Sequence, residues 1–169
     1  MRSEELRIGL GRDLHRLVEN RRFLLGGVEL PSDRGELGHS DGDVLVHAVI
    51  DALLGAAGLG DIGERFPPSA ETWKDADSME LLKIAFAMVD DAGWRLINLD
   101  CVVSCERPKL LPYREQIRAS LAAALDVGVE AVFVKGKTNE GLGPLGEGRG
   151  VEALAVCLLE RTKDEKNEP

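Results

Sequence analysis

The chain has 169 residues, 44% of them hydrophobic, so it has the length of one domain and can bury a core. Its formal net charge of −9 at pH 7 disfavours nucleic acid as a partner, because a phosphate backbone requires a basic surface. There is no signal, transit or membrane-spanning pattern and the number of cysteines is odd, three, so we expect a cytoplasmic protein with reduced thiols.

The first third of the chain is predicted to begin with strands. Alternating residues predict a strand over 6–13, and a second strand-like run over 22–30 is interrupted by two glycines and ends at Pro31. A loop is expected from there to Gly38.

The first helix is predicted from apolar residues that recur with helical spacing over 44–53. Ser40 or Asp41 is the expected cap, and the helix should end before Gly55. The segment 58–73 has glycines, prolines and little periodicity, so it is expected to be a surface loop.

The second half alternates between helices and strands. We expect a helix over 79–92 capped by Asp77-Ser78, a strand over 94–105, and a helix that starts near Pro112 and ends near residue 126. A strand is predicted over 131–137, followed by a glycine-rich loop over 138–150. Periodicity leaves 151–160 open between helix and strand.

All three histidines lie in two short segments that also contain aspartates, residues 12–16 and 38–47. In a strand, residues two apart point to the same face, so Asp13 and His15 would present a carboxylate and an imidazole side by side. Two ligands are too few for a stable metal site. A third ligand must come from His39 or His47.

His39 and His47 cannot easily bind one ion together. Eight residues of helix rise by roughly 12 Å, whereas zinc–nitrogen bonds are about 2.0–2.1 Å long. His47 is favoured because a helix holds it rigidly, and Asp51, one turn later, could accept a hydrogen bond from its other ring nitrogen. Asp13, His15 and His47 would then leave a fourth position open, as in catalytic zinc sites. The alternative is that His47 is an ordinary core histidine and Asp13 a turn residue.

A second group of candidates is the sequence Thr138-Asn139-Glu140-Gly141-Leu142-Gly143. Bare backbone amides of such loops can approach phosphate oxygens closely. A glutamate beside a phosphate requires a cation between them, so Glu140 is a candidate ligand for Mg²⁺. Lys109, beside Pro108, could contact a phosphate. The alternative is that the loop is only a turn.

Several motifs occur in order between about residues 7 and 161: Arg7-Ile8-Gly9-Leu10-Gly11-Arg12-Asp13-Leu14-His15, Gly26-Gly27-Val28, His39-Ser40-Asp41-Gly42-Asp43, His47, Asp51-Ala52-Leu53-Leu54-Gly55-Ala56-Ala57, Leu59-Gly60-Asp61-Ile62-Gly63, Phe66-Pro67, Pro108-Lys109 and Lys137-Thr138-Asn139-Glu140-Gly141-Leu142-Gly143. Together they resemble the 2-C-methyl-D-erythritol 2,4-cyclodiphosphate synthase family. The His-Ser-Asp-Gly-Asp motif, with the later histidine and Asp-Ile-Gly, is its most specific part.

The resemblance implies a fold and an assembly. The fold is α+β, a single domain over residues 1–161 in which helices pack on one face of a β-sheet, with a charged and flexible tail over 162–169. The assembly is a homotrimer in which the sheets of three chains pack around a three-fold axis, with active sites between neighbouring subunits.

The resemblance also implies the reaction. A phosphorus–oxygen lyase of this family cyclises 4-diphosphocytidyl-2-C-methyl-D-erythritol 2-phosphate and releases CMP, in the non-mevalonate route to isoprenoids. This is metal-assisted intramolecular phosphoryl transfer, in which positioning and charge neutralisation supply most of the catalysis.

Roles for individual residues follow from the matching motifs. By resemblance, Asp13, His15 and His47 bind one Zn²⁺ per subunit, and Glu140 binds a second metal, Mg²⁺ or Mn²⁺. His39 and Thr138 match the positions that stabilise the transition state. The residues that match substrate-binding positions are Ser40 for phosphate, Asp61, Ile62, Gly63 and Phe66 for methylerythritol, Cys105, Pro108, Lys109, Leu110 and Leu111 for the cytidine of a neighbouring subunit, and also Lys137 and Asn139.

Two segments depart from the family pattern. Pro68-Ser69-Ala70 stand where Asp-Thr-Asp is common, which leaves the substrate contacts of this loop open. Glu147-Gly148-Arg149 reverses the usual Arg-Gly-Glu near the three-fold axis. Binding of an isoprenoid diphosphate in a central cavity is therefore also left open.

Two other functions remain open from the residues themselves. One is a zinc-dependent hydrolase that uses metal-bound hydroxide, with His39 as general base. The other is a non-catalytic trimer that binds a nucleotide.

Overall fold

A five-stranded mixed sheet lies at the centre of the fold in the computed structural model, which describes residues 6–162. The strands are β1 (Leu6–Glu19), β2 (Phe23–Leu25), β3 (Val28–Leu30), β4 (Arg34–Leu37), β5 (Trp94–Ser104), β6 (Val132–Lys137) and β7 (Gly150–Arg161). The helices are α1 (Val44–Ala57), α2 (Ile62–Arg65), α3 (Ser78–Asp91), α4 (Arg114–Ala124) and α5 (Gly143–Gly146). Except for Thr162, the predicted charged tail lies outside the described residues.

The strands of the main sheet follow the order β4-β1-β7-β5-β6. All neighbours are antiparallel except β5 and β6, which are parallel and connected through α4. The short strands β2 and β3 form a separate hairpin. Gly26 and Gly27 make its turn with φ angles of 59° and 75°, which suit glycine.

Helix α1 packs directly on the sheet. A Cβ atom added to Gly9 would lie 1.9 Å from the carbonyl oxygen of Ala52, and one added to Gly11 would lie 1.9 Å from that of Ala48. The backbone of β1 and the backbone of α1 therefore touch without side chains between them. This contact confirms an α+β fold with helices against the sheet.

Two predictions for the N-terminal strands were wrong in extent. Strand β1 continues past residue 13 to Glu19, because β7 pairs with it up to Arg16 and β4 pairs with its last four residues. The expected loop before Gly38 contains β4, whose sequence Arg-Gly-Glu-Leu lacks the usual strand-forming residues. Pairing with β1 rather than local propensity makes it a strand.

The boundaries of α1 also differ from the prediction. Asp43, not Ser40 or Asp41, is the cap, and its carboxylate accepts a hydrogen bond from the Val46 amide at 3.0 Å. The helix passes through Gly55 and ends at Gly58, which has a φ of 73°. Such a left-handed residue is a common helix end.

The two predicted loops contain short helices. The segment 58–73 includes α2 and a 3₁₀ helix over Glu71–Trp73, and the segment 138–150 includes α5. The uncertain segment 151–160 belongs to a strand, β7, which pairs with both β1 and β5. The predicted cap at Asp77 and the strand beginning at Trp94 are confirmed.

The face of the sheet opposite α1 carries exposed apolar residues as well as charged ones such as Arg12 and Arg16. Along β1, odd-numbered residues point toward α1, whereas even-numbered residues point outward. Ile8 and Leu10 are 75% and 66% exposed, and Val156 on β7 is also exposed. Exposed apolar patches of this kind mark interaction surfaces.

The three cysteines, Cys101, Cys105 and Cys157, are buried and free. Burial raises the pKa of Cys101 to about 12 and that of Cys105 and Cys157 to about 11. Among residues 6–162, no helix has the length and apolarity to cross a membrane.

Candidate active site

Strand β1 and helix α1 bring Asp13, His15 and His47 together. Asp13 Oδ2 lies 2.9 Å from His15 Nε2 and 3.0 Å from His47 Nδ1. One ligand atom from each residue lies within 4.8 Å of the others, in the one metal-sized cluster found within the described residues. Two imidazoles and one carboxylate form a donor set typical of catalytic zinc, so these residues fit a divalent metal.

The hydrogen bonds of His15 leave Nε2 available as a metal ligand. Its Nδ1 lies 2.6 Å from the carbonyl oxygen of Gly42. A carbonyl only accepts hydrogen bonds, so Nδ1 donates to Gly42. Nε2 faces Asp13 and donates to its carboxylate, and it would bind a metal after losing that proton.

His47 is oriented by two serines. Its Nε2 lies 3.0 Å from the hydroxyl oxygens of Ser40 and Ser78. The Ser78 hydroxyl donates to the Asp41 carboxylate, so it can accept the Nε2 proton of His47. This arrangement directs Nδ1 at the Asp13 carboxylate, to which it is hydrogen bonded at 3.0 Å, and a metal would take the place of the proton between them.

Asp51 does not have the predicted contact with the ring of His47. Its carboxylate instead accepts a hydrogen bond from the Ile62 amide at 2.8 Å and so fixes the start of α2. Burial raises the pKa of Asp51. The packing of α3 on α1 brings Ser78, and not Asp51, to the ring of His47. No spacing in the sequence predicts that contact.

The pKa values reflect the close contact of the three ligands. Burial would raise the pKa of Asp13, but hydrogen bonds from His15 and His47 outweigh it and lower the pKa below its ordinary value. Burial would lower the pKa of His15, but its hydrogen bond with Asp13 raises it. The carboxylate is thus strongly anionic and suited to a cation.

A cavity of about 250 Å³ opens beside the cluster. Besides His15 and His47, its lining includes His39, Ser40, Ile62, Gly63, Phe66 and Pro68. Most of the residues predicted to bind phosphate or methylerythritol therefore line one cavity. Pro68, from the loop that departs from the family pattern, lines it as well. Asp61 is not in the lining, and its carboxylate caps α2 through the Glu64 amide at 2.9 Å.

A second cavity, of about 450 Å³, lies between the end of β6 and the loop after β5. Its lining contains Cys105, Pro108, Lys109, Leu110, Leu111, Arg114, Gly136, Lys137, Thr138 and Glu140. All but two of these, Arg114 and Gly136, are predicted site residues. The two cavities share no lining residue, so the described chain does not bring Glu140 to the three-ligand cluster.

The loop after β6 is exposed. The Thr138 hydroxyl donates to the Glu140 carboxylate at 2.8 Å, and the Asn139 amide donates to the Glu106 carboxylate at 2.7 Å. Glu140 has a φ of 52°, a strained value for a residue other than glycine. Asn139 does not line the second cavity.

Sequence reasoning missed Asp41 and Ser78 as groups that orient His47. Both were interpreted only as helix caps, because a serine or aspartate before an apolar run is typical of a helix start. The Ser40 and Asp41 of the His-Ser-Asp motif carried the only local signal of a further role. Ser78, 31 residues after His47, carried none.

The chain is similar to known proteins over nearly its whole length. The YgbB family model matches residues 6–160. The 2-C-methyl-D-erythritol 2,4-cyclodiphosphate synthase of Treponema denticola is 54% identical over 154 residues, which cover 91% of this chain and 96% of that protein. The synthase of the same name from Chromobacterium violaceum is 57% identical over 153 residues, 90% of this chain and 97% of that protein.

A solved structure gives the same result. A 2-C-methyl-D-erythritol 2,4-cyclodiphosphate synthase in its CDP-bound form aligns with a TM-score of 0.84 and 41% identity, covering 91% of this chain and 100% of that one. The fold, the three-ligand cluster and these similarities agree. The chain belongs to the YgbB family, together with curated relatives that are 2-C-methyl-D-erythritol 2,4-cyclodiphosphate synthases.

Proposed function

We propose that this protein is a cyclodiphosphate synthase. It cyclises 4-diphosphocytidyl-2-C-methyl-D-erythritol 2-phosphate to 2-C-methyl-D-erythritol 2,4-cyclodiphosphate and releases CMP, in the non-mevalonate route to isoprenoids. The observation that carries this proposal is the cluster of Asp13, His15 and His47 beside a cavity lined by His39 and Ser40. The names of the relatives supply the substrate.

Zinc is the metal that best suits the first site. Two imidazole nitrogens and one carboxylate oxygen leave a tetrahedral ion one open position. When bound there, zinc supplies Lewis acidity toward a phosphoryl oxygen. Glu140, with its exposed carboxylate, would hold Mg²⁺ or Mn²⁺, which prefer oxygen ligands.

The reaction needs positioning more than covalent catalysis. The 2-phosphate of the substrate attacks the β-phosphorus, and CMP leaves with the bonding electron pair. His39 and Thr138 would donate hydrogen bonds to phosphoryl oxygens as charge builds up on them. Lys109 and Lys137 add positive charge at the second cavity of a protein with a net charge of −9.

A homotrimer would complete the site. The apolar outer face of the sheet, with Ile8 and Leu10, needs a partner. The two cavities are separate within one chain, so a neighbouring subunit can bring its second cavity to the first cavity of this chain. Packing of three sheets around a common axis satisfies both requirements.

The assembly has its own test. Leu10→Glu places a charge on the outer face and should convert the trimer to monomers in sedimentation velocity, with loss of turnover. Ile84→Glu introduces the same charge at a residue on α3 that is 38% exposed, and it should leave the trimer intact. A monomeric wild-type protein with full activity would contradict the trimer.

The reaction is tested by incubating purified protein with the diphosphocytidyl substrate in H₂¹⁸O. We expect release of CMP and a cyclic diphosphate without ¹⁸O, measured by ³¹P NMR and mass spectrometry. Label in a linear product would indicate the zinc-dependent hydrolase. Binding of the substrate without any CMP release would indicate the non-catalytic trimer.

A further inference from the structure

We propose that Arg114 is a further substrate-binding residue, which contacts the base of a cytidine nucleotide in the second cavity. This inference depends on the proposed function, because it assumes that the cavity receives the nucleotide. Arg114 opens helix α4 and lines the cavity beside Leu110, Leu111 and Gly136.

The guanidinium of Arg114 is held in place but is not fully hydrogen bonded. Its central carbon lies 5.3 Å from the centre of the Phe133 ring, so the side chain rests on an aromatic surface. Its Nε is buried and has no hydrogen-bond partner among residues 6–162. Glu115 Oε1 is 3.7 Å from this nitrogen, beyond hydrogen-bond distance.

Arg118 lies over the same aromatic ring as Arg114 but has a structural role. It also lies over Phe133, at 5.0 Å, but it donates to the carbonyl oxygens of Val132 and Val129 at 2.7 and 2.9 Å. It binds the Glu115 carboxylate as well, at 2.9 Å. Arg118 does not line the cavity. Arg114 therefore lines the cavity and lacks the hydrogen bonds to carbonyl oxygens that hold Arg118 in place.

The direction of β6 indicates which part of the nucleotide Arg114 meets. Arg114 contacts Phe133 near the start of the strand, whereas Thr138 and Glu140 follow its end. Thr138 follows Phe133 by five positions along the chain, a distance of roughly 16 Å at 3.3 Å per residue. If Thr138 and Glu140 handle the phosphates and their cation, Arg114 lies toward the opposite end.

The chemistry of arginine suits a nucleobase at that end. Its N–H groups only donate, and a pyrimidine offers a ring carbonyl oxygen that only accepts. Such a hydrogen bond pairs one of the five guanidinium N–H donors and adds no demand on the phosphates.

The test compares two ligands that differ by the base, CMP and ribose 5-phosphate, by calorimetry on the full-length protein. Arg114→Met should raise the Kd of CMP about 10-fold, equal to about 1.4 kcal/mol, and leave that of ribose 5-phosphate unchanged. In turnover, KM should rise by a similar factor with kcat within about two-fold. Arg114→Lys, with the charge but not the planar fork, should lie between.

Lys83→Met is the matched control. Lys83 is exposed on α3, pairs with Glu80 at 2.6 Å, and its loss changes the net charge equally. It should bind CMP like the wild type.

Each other outcome is decisive. Equal CMP affinity in the wild type and Arg114→Met overturns the inference alone, and an equal loss for both ligands overturns it by showing that Arg114 meets the ribose phosphate part instead of the base. If the wild type binds no CMP, the proposed function fails with it. Should Arg114→Met fail to fold, Arg114→Lys decides the question by the same two affinities.

Discussion

The three-ligand cluster and the loop that carries Glu140 differ in how firmly one chain holds them. His15 and His47 each have a hydrogen bond on the nitrogen that faces away from Asp13, through Gly42 and Ser78. Glu140 has one side-chain contact, from Thr138, on an exposed loop rich in glycine. The first region is preorganised by the fold of the monomer. The second needs a cation, a substrate or a neighbouring subunit to fix it.

The largest expected effect follows from removal of a ligand in the preorganised region. His47→Ala should abolish binding of the first metal and lower kcat at least about 100-fold, because the ring is one of the three proposed ligands. Metal content by elemental analysis and turnover by CMP release measure it. Far-UV circular dichroism should stay unchanged. One zinc per chain in this variant would refute the ligand assignment.

Glu140→Gln tests the less ordered region. It keeps the shape of the side chain but removes the charge that a second cation needs. We expect the first metal to remain at full occupancy and the Mg²⁺ concentration for half-maximal turnover to rise about 10-fold or more. An unchanged Mg²⁺ titration would argue against a cation at Glu140.

Ser78→Ala sharpens the comparison within the preorganised region. Loss of the hydroxyl leaves the Nε2 proton of His47 with only Ser40 as a partner, so zinc affinity should fall about 10-fold in competition with a chelator. Asp51→Asn is the control, because Asp51 is bonded to Ile62 and not to the ring. Equal affinities of the two variants would mean that Ser78 does not orient His47.

The smallest expected effect concerns Glu36, which is fully buried on β4 next to the start of α1. Its Oε2 accepts from the Val44 amide at 3.3 Å and its Oε1 has no partner among the described residues. Burial, together with the charges of Asp43, Asp41 and Asp13, raises its pKa well above the ordinary value of 4.5. The folded protein thus holds this proton more tightly than the unfolded chain.

The sign of the pH dependence follows directly. The stabilisation by the protonated Glu36 is present below about pH 4.5 and is lost as the pH rises toward its folded pKa. Glu36→Gln keeps a neutral side chain at every pH, so it should be more stable than the wild type at pH 8 by about 1–3 kcal/mol. The difference should shrink at pH 5 in urea unfolding. A constant difference at both pH values would contradict a protonated Glu36.

The long elements and the ligand cluster could be predicted from the sequence because their signals are local. Asp13 and His15 lie two apart on a strand, and the apolar pattern of α1 fixes the face that carries His47. Strand β4 could not be predicted, since pairing with β1 determines it. The same holds for β7, whose apolar run fits a helix or a strand until two neighbouring strands pair with it.

The surroundings of the cluster were harder to predict than the cluster itself. Ser78 meets His47 because α3 packs on α1, and Asp51 turns to Ile62 because α2 starts beside it. Arg114 carries no motif, and only the packing of α4 on β6 brings it into the cavity. Such contacts depend on how helices and strands pack against one another, and the periodicity of a single segment does not encode that packing.

The missing side chain at Gly11 has a consequence for how this enzyme can change. Gly11 lies two residues before Asp13, and it faces the carbonyl oxygen of Ala48, the residue after His47. The spacing between the strand ligands and the helix ligand is therefore set by bare backbone. A methyl group at Gly11 would clash with the Ala48 carbonyl oxygen, and relief of the clash would increase the distance between His47 and Asp13. The geometry of the proposed metal site thus depends on a residue that is not one of its proposed ligands.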